Sequence, residues 1–80
     1  MQKNEKTLQH VFSSVLEIDP EEVRDDLAYQ SIPQWDSINH MYLICEIESV
    51  FELAIKSDDI LEIQSVASAK QVLKKYGVAF

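Results

Sequence analysis

Glycine occurs once in this chain, at position 77, and proline twice, at positions 20 and 33. A turn-rich β fold needs such residues at its corners, and a disordered linker is enriched in them. Their scarcity, with 46% apolar residues, excludes both and leaves an all-α bundle. With Cys45 as the single cysteine, no intramolecular disulfide can form, which points to a reducing compartment. Cations are scarce as well: seven Lys and Arg stand against 14 Asp and Glu, for a net charge of −7. Such a surface repels phosphate backbones and anionic lipid, so neither nucleic acid nor membrane is an expected partner, and basic proteins are favoured. No apolar run approaches spanning length, and Met1 to Lys6 lead into no signal-like apolar stretch, so a cytoplasmic protein is expected. One glycine leaves no room for a P-loop or dinucleotide fingerprint. His10, His40 and Cys45 lack a recognised ligand spacing, so no metal is expected. At 80 residues the chain fits one domain, 1–80, whose small core would make an enclosed catalytic site hard to build.

Periodicity sets the elements. Leu8, Val11, Phe12, Val15 and Leu16 recur at helical spacing and predict a first helix from about Asn4 to Glu17. Asp19, Pro20, Glu21 and Glu22 have the order of an N-cap, a first-position proline and dipole-complementing acids, predicting a short helical turn. Asp25 to Trp35 then form a long connection, which should support a site or pack as a structured crossover. A second helix should span Ser37 to about Leu53, capped by Asp36 or Ser37. A third, near Asp58 to Ile63, would be capped by Ser57 or Asp58. The last begins near Ser65, buries Val66, Ala69, Val72, Leu73 and Tyr76, and ends at Gly77, the residue suited to a left-handed cap. Phe12, Leu16, Leu43, Ile47, Phe51, Val66 and Leu73 should be buried together.

The segment Trp35-Asp36-Ser37-Ile38 puts a serine hydroxyl at a helix N-terminus, where N–H groups and the macrodipole favour an anionic adduct such as a phosphodiester. It resembles the phosphopantetheine attachment site of acyl and peptidyl carrier proteins, in which an Asp-Ser-Leu triplet opens the second helix. Ile38 stands where leucine is usual. Gln34-Trp35 replaces the close glycine of fatty-acid synthesis carriers and looks more like the form common in polyketide and nonribosomal-peptide pathways. The resemblance runs from Ile18–Val23 through Glu48 and Phe51 to Ile55, the short helix and Ser65-Val66.

It implies a four-helix fold with a long loop between the first two helices and a short third helix. It also implies covalent attachment of 4'-phosphopantetheine, taken from coenzyme A, to Ser37, with Asp36 supporting the motif. The chain would then be a free-standing, monomeric carrier, inactive alone. Its partners would be a phosphopantetheinyl transferase, an acyl- or aminoacyl-loading ligase, and condensing, tailoring or releasing enzymes. Asn39 and Tyr42 stand where fatty-acid carriers commonly have acids, which points away from fatty-acid synthesis enzymes.

With Ser37 at zero on a helical wheel, Leu43, Ile47, Val50, Phe51 and Ala54 cluster at roughly −140° to −40°, with Ile44 at the edge, as the core face. Ile38, Met41 and Cys45 fall at roughly +40° to +100°, a second apolar stripe, with Glu48 and Glu52 as an acidic margin. Two readings stay open: the loop containing Ile32 and Trp35 covers the stripe, or these five residues form a partner-binding patch beside Ser37. Asp36, Ser37 and His40 invite a hydrolase reading. Neighbours at i,i+3 project in parallel, however, and a triad needs a separately placed base and an oxyanion hole, so His40 is expected to be solvated. Cys45 is expected as a small apolar contact. The alternative to a carrier is an unmodified helical adaptor that binds a partner through the second stripe.

Overall fold

A computed structural model describes residues 2–80. Four helices make up the bundle: α1 over Gln2–Leu16, α2 over Ser37–Phe51, α3 over Ser57–Glu62 and α4 over Val66–Lys75. A 3-10 turn at Pro20–Glu22 follows α1, with the Asp19 N–H donating to Glu22 Oε2 at 3.3 Å. The all-α architecture, the short third helix and the connection between α1 and α2 are as the sequence predicts.

Three helices end alike. At Glu17, Glu52 and Gly77 the backbone turns left-handed, at φ 56°, 55° and 90°. In each case the following N–H reaches back to a carbonyl of the last turn: Ile18 to Ser13, Leu53 to Glu48 and Val78 to Leu73, all at 3.1 Å. This is the Schellman closure, which satisfies carbonyls left without intrahelical partners. It ends α1 at Leu16 and α2 at Phe51, earlier than the expected Glu17 and Leu53. The start of α3 also differs from expectation. Neither Ser57 nor Asp58 caps it; Lys56 holds that position without a side-chain bond, and the Lys56 N–H donates to the Tyr76 hydroxyl at 2.9 Å. α4 is closed by Ser65 and Ser68, the Oγ of each accepting the other's N–H at 3.0 and 2.9 Å.

One core unites the elements: Leu8, Val11, Phe12 and Leu16 of α1, Leu43, Ile44 and Ile47 of α2, Ile55 and Ile63, and Val66, Ala69, Val72 and Leu73 of α4. Trp35, fully buried, joins them from the connection between α1 and α2, its ring edge-on to Phe12 with centroids 5.2 Å apart. That connection is a structured crossover. Tyr29 N–H donates to the Gln64 carbonyl at 2.8 Å, and Val66 N–H to the Leu27 carbonyl at 3.0 Å, around a single antiparallel bridge between Ala28 and Ser65. Gln30 then turns left-handed at φ 66° and donates to the Trp35 carbonyl at 3.0 Å, which directs the indole inward.

The core face of α2 is narrower than the wheel implies. Ile44 is buried, whereas Val50 is 40% exposed and Ala54 lies exposed beyond the helix end. Phe51 is half-buried and packs against the C-terminal Phe80, with centroids 6.4 Å apart. The expectation that it is buried is corrected, because the early end of α2 leaves its last turn at the rim of the bundle. Tyr76 is likewise half-buried; its hydroxyl points out of the core, donating to Asp59 Oδ2 at 2.6 Å.

Candidate functional site

The start of α2 is built by Asp36. Its backbone is extended, and Oδ1 accepts the Asn39 N–H at 2.8 Å, the standard N-cap geometry. The Asn39 side chain donates back to the Gln34 carbonyl at 2.7 Å, fixing the approach of the loop. Ser37 is therefore the first helical residue. It is exposed, and among the described residues no hydrogen bond engages its hydroxyl. That hydroxyl stands at the helix mouth, where the first N–H groups and the dipole favour an added phosphate. No acidic residue lies in the first turn of α2 to oppose one. The carboxylate of the preceding Asp36 has its Oδ1 engaged by the cap.

The second stripe is uncovered. Ile38 is 67% exposed, Met41 51%, and Tyr42 and Cys45 are exposed beside them. Trp35, a candidate cover, lies in the core instead, and Ile32 is half-buried against the core. Cys45 is thus an exposed free thiol and not a packed contact. On α3, Leu61 is 72% exposed, an apolar residue that the wheel of α2 could not include.

The acidic margin is altered. Glu48 is half-buried and its Oε2 accepts the Ile55 N–H at 2.8 Å, so this carboxylate staples the chain that leaves α2. Glu52 is exposed, but it is the left-handed residue past the helix, so its wheel position does not apply.

His40 also departs from expectation. It is half-buried, with Nδ1 3.0 Å from Trp35 Nε1 and Nε2 3.3 Å from the Ile60 carbonyl oxygen. Its ring lies near-parallel to the indole at 24° and 5.3 Å from the Tyr29 ring centroid. The sequence did hold the signal: on the same wheel His40 falls at roughly −60°, inside the core arc. With both ring nitrogens so engaged and Oδ1 of Asp36 holding the cap, Asp36, Ser37 and His40 form no relay, which removes the hydrolase reading.

α3 is fastened at its outer side by polar contacts. Lys75 Nζ lies 2.6 Å from Asp59 Oδ1, and the Tyr76 hydroxyl bonds the other carboxylate oxygen. The Lys75 ammonium foremost, then the Tyr76 hydroxyl, hold the Asp59 carboxyl below its ordinary range. The same carboxylate pushes the Lys75 ammonium and the Tyr76 phenol up. On α4, Lys70 is raised chiefly by its hydrogen bond to Asp25, 2.8 Å away, and also lines a 240 Å³ depression with Glu5, Leu8, Val23 and Val66.

A small helical bundle that presents an unengaged serine hydroxyl at a capped helix mouth, flanked by bare apolar side chains, has the make-up of a carrier, a protein acted on by others. The phosphopantetheine attachment site family matches residues 6–73, and the chain belongs to that family. It is a phosphopantetheine-carrying protein, and the prosthetic group is 4'-phosphopantetheine. No curated protein matches the chain. Among the described residues no helix is long and apolar enough to cross a membrane.

Proposed function

We propose that Ser37 is the attachment point and that residues 1–80 form one carrier domain, not itself an enzyme, that ferries acyl or aminoacyl intermediates. The observation that carries this reading is the division of roles at the helix start: Asp36 caps, and the neighbouring Ser37 hydroxyl stays exposed and unengaged. On the transferase, Ser37 Oγ attacks the phosphorus of coenzyme A that bears the pantetheine. An O–P bond forms, the pyrophosphate P–O bond breaks to release adenosine 3',5'-bisphosphate, and the serine proton passes to a base on that enzyme. A magnesium ion held by the transferase offsets the phosphate charge. Once attached, the arm supplies a terminal thiol that carries the intermediate as a thioester.

Ile38, Met41 and Cys45 form the docking stripe beside Ser37, with Glu52 and the half-buried Glu48 at its far end. Loading, condensing, tailoring and releasing enzymes are the further partners, in a cytoplasmic polyketide, nonribosomal-peptide or related pathway. Gln34-Trp35 before the triplet supports that choice of pathway, and the absence of first-turn acids on α2 agrees with it. The same bare stripe would serve an unmodified adaptor. Mass spectrometry after incubation with a broad-specificity phosphopantetheinyl transferase and coenzyme A separates the two. A single phosphopantetheine increment, lost in Ser37→Ala with helical circular dichroism retained, supports the carrier. An unmodified wild-type protein, or retained modification of Ser37→Ala, overturns the assignment.

A further inference from the structure

His40 joins three parts of the molecule: α2, the crossover and α3. It lies one turn into α2, three residues after Ser37, while its ring touches the crossover through Trp35 and α3 through the Ile60 carbonyl. α3 has no fully buried residue, and its main helix partner is α4, to which Asp59 binds it. The His40 contact is therefore the polar tie that draws the inner side of α3 towards the first turns of α2. The next residue on α3 after Ile60 is the exposed Leu61.

Hydrogen-bond chemistry fixes the form of this ring. The indole Nε1–H can only donate, so Nδ1 of His40 must accept and carry no proton. In the neutral ring the proton then sits on Nε2 and is donated to the Ile60 carbonyl, an oxygen that also accepts the Ile63 N–H. One tautomer satisfies both neighbours.

We propose that His40 is a positioning residue for the modification site. Locked between the Trp35 indole and the Ile60 carbonyl, it sets where α3, with Leu61, stands relative to Ser37, and so how well the transferase recognises the site. The inference rests on the carrier reading above and adds to it a residue that reaches the reacting atoms only through the placement of a neighbouring helix.

The test uses two substitutions. His40→Leu keeps apolar bulk and removes both hydrogen bonds, whereas His40→Gln retains an amide able to donate to Ile60. Under conditions in which circular dichroism shows both folded, transferase KM for the His40→Leu protein should rise about three- to tenfold, the range one net hydrogen bond supports, with kcat nearly unchanged. His40→Gln should recover most of the loss. In ¹⁵N spectra of the unmodified proteins, His40→Leu should shift the amides of residues 57–63 and leave those of α1 in place. In the wild type, Nδ1 should resonate as an unprotonated imidazole nitrogen. A folded His40→Leu protein with wild-type KM, a loss that His40→Gln does not recover, or unmoved α3 amides would each overturn the proposal. Failure of the wild-type protein to take the arm would instead strike the carrier reading, and the spectra would still report on the placement of α3.

Discussion

α1 and α3 lie in the same small bundle and are held by different balances of apolar burial and polar contact. α1 buries Leu8, Val11, Phe12 and Leu16 in the common core, and the side-chain hydrogen bonds of Asn4, Thr7 and Gln9 lie exposed outside that packing. α3 has six residues and none of them is fully buried; Ile60 packs half-buried against the core, Asp59 ties the helix to Lys75 and Tyr76, and His40 ties it to α2. Apolar burial is non-directional and contributes in proportion to area, so it stabilises the bundle without dictating fine geometry. Hydrogen bonds contribute about 1 kcal/mol net each but fix orientation. The first region sets whether the chain folds, and the second sets where one surface helix sits.

The contrast breaks most sharply at Trp35. Replacing this fully buried indole by alanine should cost about 3 to 5 kcal/mol in urea titration, a large part of the stability of a domain this size. A loss below about 1 kcal/mol would mean that the crossover is not part of the core. Phe51→Ala should cost less, about 1 to 2 kcal/mol, because the ring is half-buried at the rim. A loss equal to that of Trp35→Ala would place the last turn of α2 in the core after all.

Smaller still, and of opposite sign, is Glu52→Gly. Relief of left-handed strain is partly offset by glycine's entropy in the unfolded chain, so a gain of about 0.5 to 1 kcal/mol is expected. Destabilisation there would show that the Glu52 side chain makes a contact worth more than the strain.

Asp59→Asn should change global unfolding least and local order most. Amide hydrogen exchange in residues 57–62 should accelerate while the core amides of α1 stay protected; equal acceleration of both would erase the distinction between the two regions. Acid should act the same way. Because Lys75 and Tyr76 lower the Asp59 pKa in the folded state, its contribution is present above the ordinary carboxylate range and is lost as pH falls through the lowered value. The raised Lys75 and Tyr76 contribute below their ordinary values, and that contribution is lost as alkaline pH climbs through the raised ones. α3 should therefore loosen at both extremes before α1 does, as read from exchange-protected amides.

The regions differ in legibility for the same reason. Apolar spacing exposes α1 directly, and the triplet around Ser37 marks the start of α2. Asp36 as cap was one of two open choices, decided only by its bond to the Asn39 N–H. Trp35 carries no periodic signal, since it sits in an irregular crossover whose inward turn depends on the pairing of Leu27 to Tyr29 with Gln64 to Val66. Gly77 announces a left-handed cap, whereas Glu17 and Glu52 adopt the same conformation with a residue type that gives no hint of it. That unannounced turn shortens α2 and helps bring the Ile55 N–H to Glu48, so a glutamate expected at the acidic margin of the stripe becomes an internal acceptor. His40 is legible from its wheel angle, roughly −60° and inside the core arc, although it lies only three residues from Ser37.

The cap on α2 has a consequence for the working cycle. Because Asp36 holds the helix start, an ester on Ser37 Oγ, the attachment point proposed above, would displace no hydrogen bond of the fold. Unloaded and loaded protein can then keep the same secondary structure, and the phosphate at the helix N-terminus should if anything stabilise the loaded form. An enzyme that installs or removes the arm works against chemistry alone, with no partial unfolding to drive. With the fold's own hydrogen bonds untouched, the feature that would distinguish a charged carrier from an empty one is the cargo on the arm.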